Sequence, residues 1–407
     1  MSLFARVAVV AVLLLLTVAP AAVAQSTDTG AEAARVVWRS VLPFTTQPLM
    51  VEDGKIFVFS GGNASALDAH TGEILWNYAG LTINEIAQQL GCACQNAAGP
   101  AGSGLYSVGG GDTLVALDPL MGDVRWSRTV GEAIATPAVA TGGVVVVGGG
   151  DQRGFVIDGL DDADGSVRWE LQLAERPLPG LLAWRSVVFA PLSDGTLLAI
   201  EASTGRQVWR DPVGDLPEPL APSQLGSDGT MALRTQSAAL TVNAATGATQ
   251  WQLPAPEFPP RPIVDGARVY VASGTGTVSG IDASSGAVVW SRDLGVLATS
   301  EGLTALAGRL LVTTFDGALI ALDPSTGAPL WSRDLGRTLA PPVLGDGGLY
   351  VGTLAGDLNV IDPATGAVRS QLSLGGAILF SPVSIGDTVY VATDSEQGTT
   401  VLAVHGL

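Results

Sequence analysis

The sequence predicts an all-β chain folded into a closed β-propeller of four-stranded antiparallel blades. Three observations predict it: a motif that recurs along most of the chain, a composition rich in turn residues, and complementary incomplete repeats at the two ends. Gly (52) and Pro (24) are plentiful while charged residues make up only 14%, which suits short strands and tight turns rather than amphipathic helices.

The chain opens with a leader. After Met1 and the single cation Arg6, an apolar run from Val7 to Ala19 ends at Pro20 and the small residues Ala22-Val23-Ala24. Cation, apolar stretch and small-residue site are the order of a secretory signal peptide, cut after Ala24. The run is shorter than the roughly 20 apolar residues of a spanning helix. Residues 1–24 are therefore read as a signal peptide, 25–34 as a flexible segment and 35–407 as one domain. No Cys follows the run to accept a lipid, and no later stretch is long and uncharged enough to span. The expected product is a soluble periplasmic or secreted protein, monomeric and without direct membrane insertion. Its formal charge is −18, and removing the leader takes Arg6 and no acid. Such a chain repels phosphate backbones, which argues against nucleic acid as a partner.

The repeat reads apolar-Asp-x-x-Thr-Gly-x-x-x-Trp. It runs from Leu67-Asp68, Thr71-Gly72 and Trp76 through Leu117-Asp118, Gly122 and Trp126 to Leu322-Asp323, Thr326-Gly327 and Trp331. A last copy, Ile361-Asp362 with Thr365-Gly366, lacks the Trp. Trp38, Trp76, Trp126, Trp169, Trp209, Trp251, Trp290 and Trp331 fall about 40 residues apart, with one longer gap, the period of a four-stranded blade. In each unit two β-rich runs form a hairpin, and Asp begins the next turn by accepting backbone N–H bonds. Gly supplies a positive φ, and Trp opens the outermost strand with a large apolar area to bury between blades. A sheet face that is useless alone is covered by the next unit, and ring closure removes exposed edges.

The ends fit each other. Arg35-Val36-Val37-Trp38-Arg39 resembles a fourth strand without its first three, whereas Phe380 to the C-terminus carries three strands without a fourth. The first strand is expected to complete the last blade. Eight complete units and the split one give nine blades, and the weakest unit, ending at Trp126, leaves eight or nine open.

Breaks in a repeat are where function is grafted. The largest, 81–103, is read as a loop insertion with a short helix at Ile83–Leu90. It carries the only cysteines, Cys92 and Cys94, whose proximity in an oxidising compartment favours a disulfide. A second break, Asp158-Gly-Leu-Asp161-Asp162-Ala-Asp164-Gly165, reads as a turn lengthened by three residues. Asp158, Asp161, Asp162 and Asp164 are calcium candidates, since oxygen ligands on alternate residues with a Gly suit that ion. The spacing is incomplete and no Glu closes the set, which favours a solvated acidic turn. Pro-rich stretches at 212–222 and 254–262 are read as stiff links between blades.

The recurring unit resembles the tryptophan-docking repeat of the PQQ-type propeller family, which holds the quinoprotein dehydrogenases and their non-catalytic BamB-like relatives. The resemblance covers nearly all of the chain after the leader. It implies a propeller, and it does not imply an enzyme. Quinoprotein alcohol dehydrogenases have adjacent cysteines and a calcium site with a catalytic Asp, whereas the pair here is Cys92-Ala93-Cys94 and no ligand set for calcium or PQQ is assignable. BamB-like proteins are about this size but carry a lipid-acceptor Cys. No catalytic, cofactor-binding or confident metal residue is assigned. The expected function is an exported scaffold binding an envelope or outer-membrane protein, with outer-membrane protein assembly as the role that the resemblance implies. A small PQQ- and calcium-dependent dehydrogenase and a small-ligand or glycan-binding propeller are the alternatives.

Overall fold

The computed structural model describes residues 35–405, except 43–48, 61–62, 80–96, 99–103, 110, 152–153, 217–219, 222–223, 255–259 and 396–397. The leader, residues 25–34, Cys92, Cys94 and the helix expected at Ile83–Leu90 lie outside the described residues.

Nine antiparallel sheets follow one another around the ring, which settles the blade number at nine. Blade 1 spans 50–78, blade 2 97–129, blade 3 133–173, blade 4 182–212, blade 5 230–254, blade 6 263–293, blade 7 298–334 and blade 8 343–373. Blade 9 joins three strands within 383–405 to the first strand of the chain, Val36–Leu42. That strand pairs antiparallel with Gly398–His405, from Val36↔Val404 to Leu42↔Thr399. Blade 2 owes its first strand to Ala97–Ala98, which pair with Tyr106 and Leu105, so the segment read as a loop insertion contributes a strand. Among the described residues blade 5 has three strands. Its innermost strand shrinks to a bridge between Leu225 and Met231, and the buried Gln224 side chain donates to the Ala232 carbonyl at 3.0 Å.

The turn motif explains how blades adhere. Each indole of the repeat donates its N–H to a carbonyl in the following blade's turn, one residue past the Asp position: Trp38 to Ala69, Trp169 to Ala202 and Trp331 to Pro363, for example. Across the eight such seams the distances are 2.8–3.3 Å. The same indole lies flat on the turn's Gly, where an added Cβ would come within 2.3–2.7 Å of the ring. The Gly of the motif therefore serves two ends, a left-handed backbone and a place for the neighbouring indole. Behind the ring, the cross-strand position is small: Ala66 faces Trp76, Gly159 faces Trp169 and Ala321 faces Trp331.

The missing Trp of blade 8 has a topological cause. Its place is taken by Ser370, opposite Val360. The turn it would dock onto belongs to blade 9, whose third and fourth strands are the two ends of the described chain. There the His405 N–H donates to the Arg35 carbonyl at 2.8 Å and the Arg35 guanidinium donates to the Ser370 hydroxyl at 2.9 Å. The seam closes instead on an apolar cluster including Leu358, Leu372, Ile378 and Leu402.

The acidic turn of blade 3 corrects the sequence reading. Gly165 N–H donates to the Asp161 carbonyl at 2.8 Å, as Gly72 does to Asp68, so Asp161 is the Asp of the motif and the turn has ordinary length. The three extra residues belong to a longer hairpin of eight-residue strands, Val144–Asp151 and Gly154–Asp161. Asp158 sits inside it, opposite Val147 and Glu170.

The turn carboxylates make the ring acid-sensitive. Hydroxyls and N–H groups of Ser284 and Ser285 hold Asp282 down to about 2, and the Arg369 guanidinium with the Thr365 N–H does the same for Asp362. Both folded values lie below the ordinary 3.8, so their stabilisation is complete above that value and is lost as pH falls toward about 2. Blade 5 carries Asn243 at this position, accepting from the N–H groups of Ala245 at 3.0 Å and Thr246 at 3.1 Å. An Asp282→Asn, Asp362→Asn double variant should keep the turns and show a shallower fall in melting temperature across that acid window than the parent. Equal slopes would contradict the assignment.

Candidate functional site

Antiparallel alternation sorts the loops onto two faces. The turns between first and second strands and the Asp-Gly turns share one face. The turns between second and third strands, with the connectors between blades, share the other.

On the Asp-Gly face the carboxylates are occupied by their own turns. Asp161 accepts from the Arg168 guanidinium at 2.7 and 2.9 Å and from the Ala163 N–H at 2.8 Å, and the Arg168 bond foremost holds it below its ordinary value. Asp162 accepts the Tyr106 hydroxyl and lies 3.6 Å from Arg125. Asp164 accepts from the Ser166 N–H at 2.8 Å, and the Ser166 hydroxyl and N–H lower its value. Asp158 is buried in its strand. The structure thus brings Asp161, Asp162 and Asp164 into one turn, gives each a separate partner and leaves Asp158 apart. Among the described residues no group of three or more His, Cys, Asp or Glu is arranged to hold a metal ion.

Exposed apolar side chains stand on both faces: Leu120 and Met121 in the Asp-Gly turn of blade 2 are 61% and 68% exposed, and the connector face carries a group of its own. Leu297, in the connector from blade 6 to 7, Phe315, in the turn between second and third strands of blade 7, and Leu339, in the connector from blade 7 to 8, are 45%, 53% and 45% exposed. Phe315 is held against the connector because its N–H donates to the Leu297 carbonyl at 3.0 Å. Blades 4, 5 and 6 carry Ser193, Gln236 and Gly274 in the matching turn and blade 8 carries Leu354, so Phe315 is the aromatic among these five. Comparing those turns with each other could have found Phe315; the Trp repeat alone could not.

Beside this patch the first strand of blade 7 bulges. Ala298 pairs with Thr314 and Leu303 with Val312, so Thr299 to Gly302 bow out of the ladder. Bulges re-aim side chains, and this one presents Glu301 to Arg261, whose guanidinium reaches both carboxylate oxygens at 2.5 and 2.6 Å. The pair borders a cavity of about 350 Å³ along the inner strands, with Val264, Asp265, Leu303, Thr304 and Pro341. Each charge neutralises the other, so the pair braces the bulge and supplies neither a free base nor a free cation. A tricarboxylate quinone needs unengaged cations and its metal a carboxylate cluster; the described lining of this cavity fits neither.

With this geometry the comparisons with known proteins can be placed. The family model of outer membrane protein assembly factor BamB matches residues 84–238 and 235–406. The chain belongs to the BamB family. A BamB of Moranella endobia is 23% identical over 365 residues, covering 85% of this chain and 82% of that protein. A BamB of Nitrosomonas eutropha is 25% identical over 248 residues, 60% of this chain and 50% of that one. Among solved structures, BamB from Moraxella catarrhalis aligns with a TM-score of 0.54 at 21% identity, covering 78% of this chain and 95% of that chain. A europium-containing methanol dehydrogenase aligns at 0.59 with 13% identity, covering 91% and 93%. That BamB-family chains and dehydrogenases share one ring shows the fold alone, so function rests on what each rim presents.

Proposed function

We propose that this BamB-family propeller is an exported, non-catalytic scaffold of the cell envelope that docks a component of outer-membrane protein assembly on its connector face. The observation that carries the reading is the exposed Leu297, Phe315 and Leu339 patch on short loops tied to the ring. Apolar side chains held on a rigid frame suit the centre of a protein interface, where the few residues that dominate binding are worth about 2 kcal/mol or more when truncated. The name shared by the family's members supports the choice of partner.

Cross-linking the mature protein in its own envelope, then identifying attached chains, tests this. Recovery of barrel-assembly components is expected, falling about tenfold or more in a Phe315→Asp, Leu297→Asp variant that melts like the parent. Recovery indifferent to that variant would contradict the docking face. Quinone absorbance, or calcium-dependent dye reduction with an alcohol, would overturn the non-catalytic reading.

A further inference from the structure

An Asp-Gly pair is chemically vulnerable, because glycine places no side chain between its own nitrogen and the preceding carboxyl group. The chain has eight such pairs, and the fold protects six of them. In five the glycine N–H, which is the nucleophile, is already committed. Gly165 donates to the Asp161 carbonyl, Gly195 to Leu192, Gly229 to Gly226 and Gly317 to Thr314 at 2.8–3.1 Å, and Gly347 donates to the Tyr350 hydroxyl at 3.2 Å. The sixth pair, Asp158-Gly159, lies inside the Gly154–Asp161 strand with a strand on either side. Asp164, Asp194 and Asp228 also have their carboxylates held, each by the N–H two residues on.

Asp53-Gly54 and Asp265-Gly266 remain. Among the described residues, neither the carboxyl group nor the glycine N–H of either pair has a hydrogen-bond partner. The two differ in how the main chain is held. Asp265 ends the Ile263–Asp265 strand and pairs with Arg268, so its backbone belongs to a ladder. Asp53 and Gly54 instead form the tip of the turn between the paired Glu52 and Lys55. Both are exposed, and Asp53 has a φ of 48°, in the left-handed region that strains an L-residue. An added Cβ at Gly54 would meet nothing nearer than Cε1 of His70 at 3.9 Å, so the described surroundings leave room beside the nitrogen. The turn also has a structural duty. The Gly54 carbonyl accepts the Ala69 N–H at 2.9 Å, and the Ala69 carbonyl accepts the indole N–H of Trp38 at 3.1 Å.

We infer that Asp53 is a site of spontaneous modification, rearranging to isoaspartate through a succinimide with Gly54, and that the change loosens the seam between blade 9 and blade 1. The Gly54 nitrogen attacks the side-chain carboxyl carbon of Asp53. A C–N bond forms as one carboxylate oxygen leaves as water, taking the amide proton and one proton from solvent. Water then adds to the main-chain carbonyl carbon of Asp53 and breaks its bond to the Gly54 nitrogen, returning a proton as the new carboxylate forms. Water is the only co-reactant, and nothing is oxidised or reduced. The chain now runs through the side chain, one atom longer, which displaces the Gly54 carbonyl from Ala69 and so disturbs the turn onto which Trp38 docks. The site is separate from the docking face and does not depend on the scaffold reading.

The test keeps the folded chain beginning at Gln25 for several weeks in warm, neutral buffer made with heavy-oxygen water, then maps its peptides by electron-transfer mass spectrometry. Reopening of the succinimide fixes one heavy oxygen at the rearranged residue. Isoaspartate is expected at Asp53 about tenfold or more faster than at the five pairs whose glycine N–H must first leave its acceptor, and faster than at Asp265. The aged parent should melt lower than the fresh one. Asp53→Gly removes the carboxyl group and gives this turn the Gly-Gly pair that blade 3 carries at Gly142 and Gly143, both left-handed. That variant should show no change of melting temperature with age. Absence of isoaspartate at Asp53, or a rate there no greater than at Asp265 or the held pairs, would overturn the modification site. Conversion of Asp53 with melting unchanged, or an equal loss on ageing in Asp53→Gly, would overturn its link to the seam.

Discussion

Gly327→Ala is expected to destabilise the ring by about 3 kcal/mol more than Gly308→Ala, although both glycines have the same backbone conformation. Their φ angles are 67° and 68°. An L-residue in that region costs about 1–2 kcal/mol, and this cost is common to both. The difference lies in what a Cβ meets. At Gly308 it meets nothing within 4 Å; at Gly327 it would stand 2.3 Å from Cε3 of Trp290. The ring cannot yield, because Trp290 is 8% exposed and its N–H is tied to the Pro324 carbonyl at 2.9 Å. Dislodging it approaches the about 3–5 kcal/mol of deleting a buried Trp. Urea unfolding of the two variants beside the parent reads the difference. Equal losses would show that the Gly serves only its turn and that the indole contact contributes little.

Removing the first strand is the second large effect. Val36–Leu42 places Trp38 and Leu42, 7% and 0% exposed, into the cluster with Leu49, Ile56, Leu67 and Tyr390 that joins blade 9 to blade 1. Loss of a buried Trp and a buried Leu costs on the order of 5–10 kcal/mol together. Domain stability is typically about 5–15 kcal/mol, so little remains. The Gly398–His405 strand would also become an edge with unpaired backbone groups, a template for self-association.

The features legible in the sequence were those set by a period. Indoles recurring at a fixed distance from an Asp-Gly turn, and end segments that complete each other, follow from repetition and from the need to cover sheet edges. The acidic turn of blade 3 was misread because Ile157-Asp158 and Leu160-Asp161 both offer an apolar-Asp pair. Counting back from Trp169 would have chosen Asp161, since the Asp position stands eight residues before the Trp in blades 1, 2, 6 and 7. The lost Trp at Ser370 was visible as an absence, but its cause required seeing that the docking turn it lacks is where the chain's ends meet. The bulge carrying Glu301 was illegible for another reason: its meaning lies in cross-strand register, which exists only after the hairpins pair. The exposure of Phe315 likewise depends on which loops share a face.

Closure of the ring by the first strand is tested most directly by thermal unfolding of two truncated chains, one beginning at Arg35 and one at Pro43. The account predicts that the first melts as cooperatively as a chain beginning at Gln25. The second should melt at least about 10 °C lower or without a cooperative transition, and should self-associate on gel filtration. A chain beginning at Pro43 that stays monomeric and melts where the longer one does would contradict it.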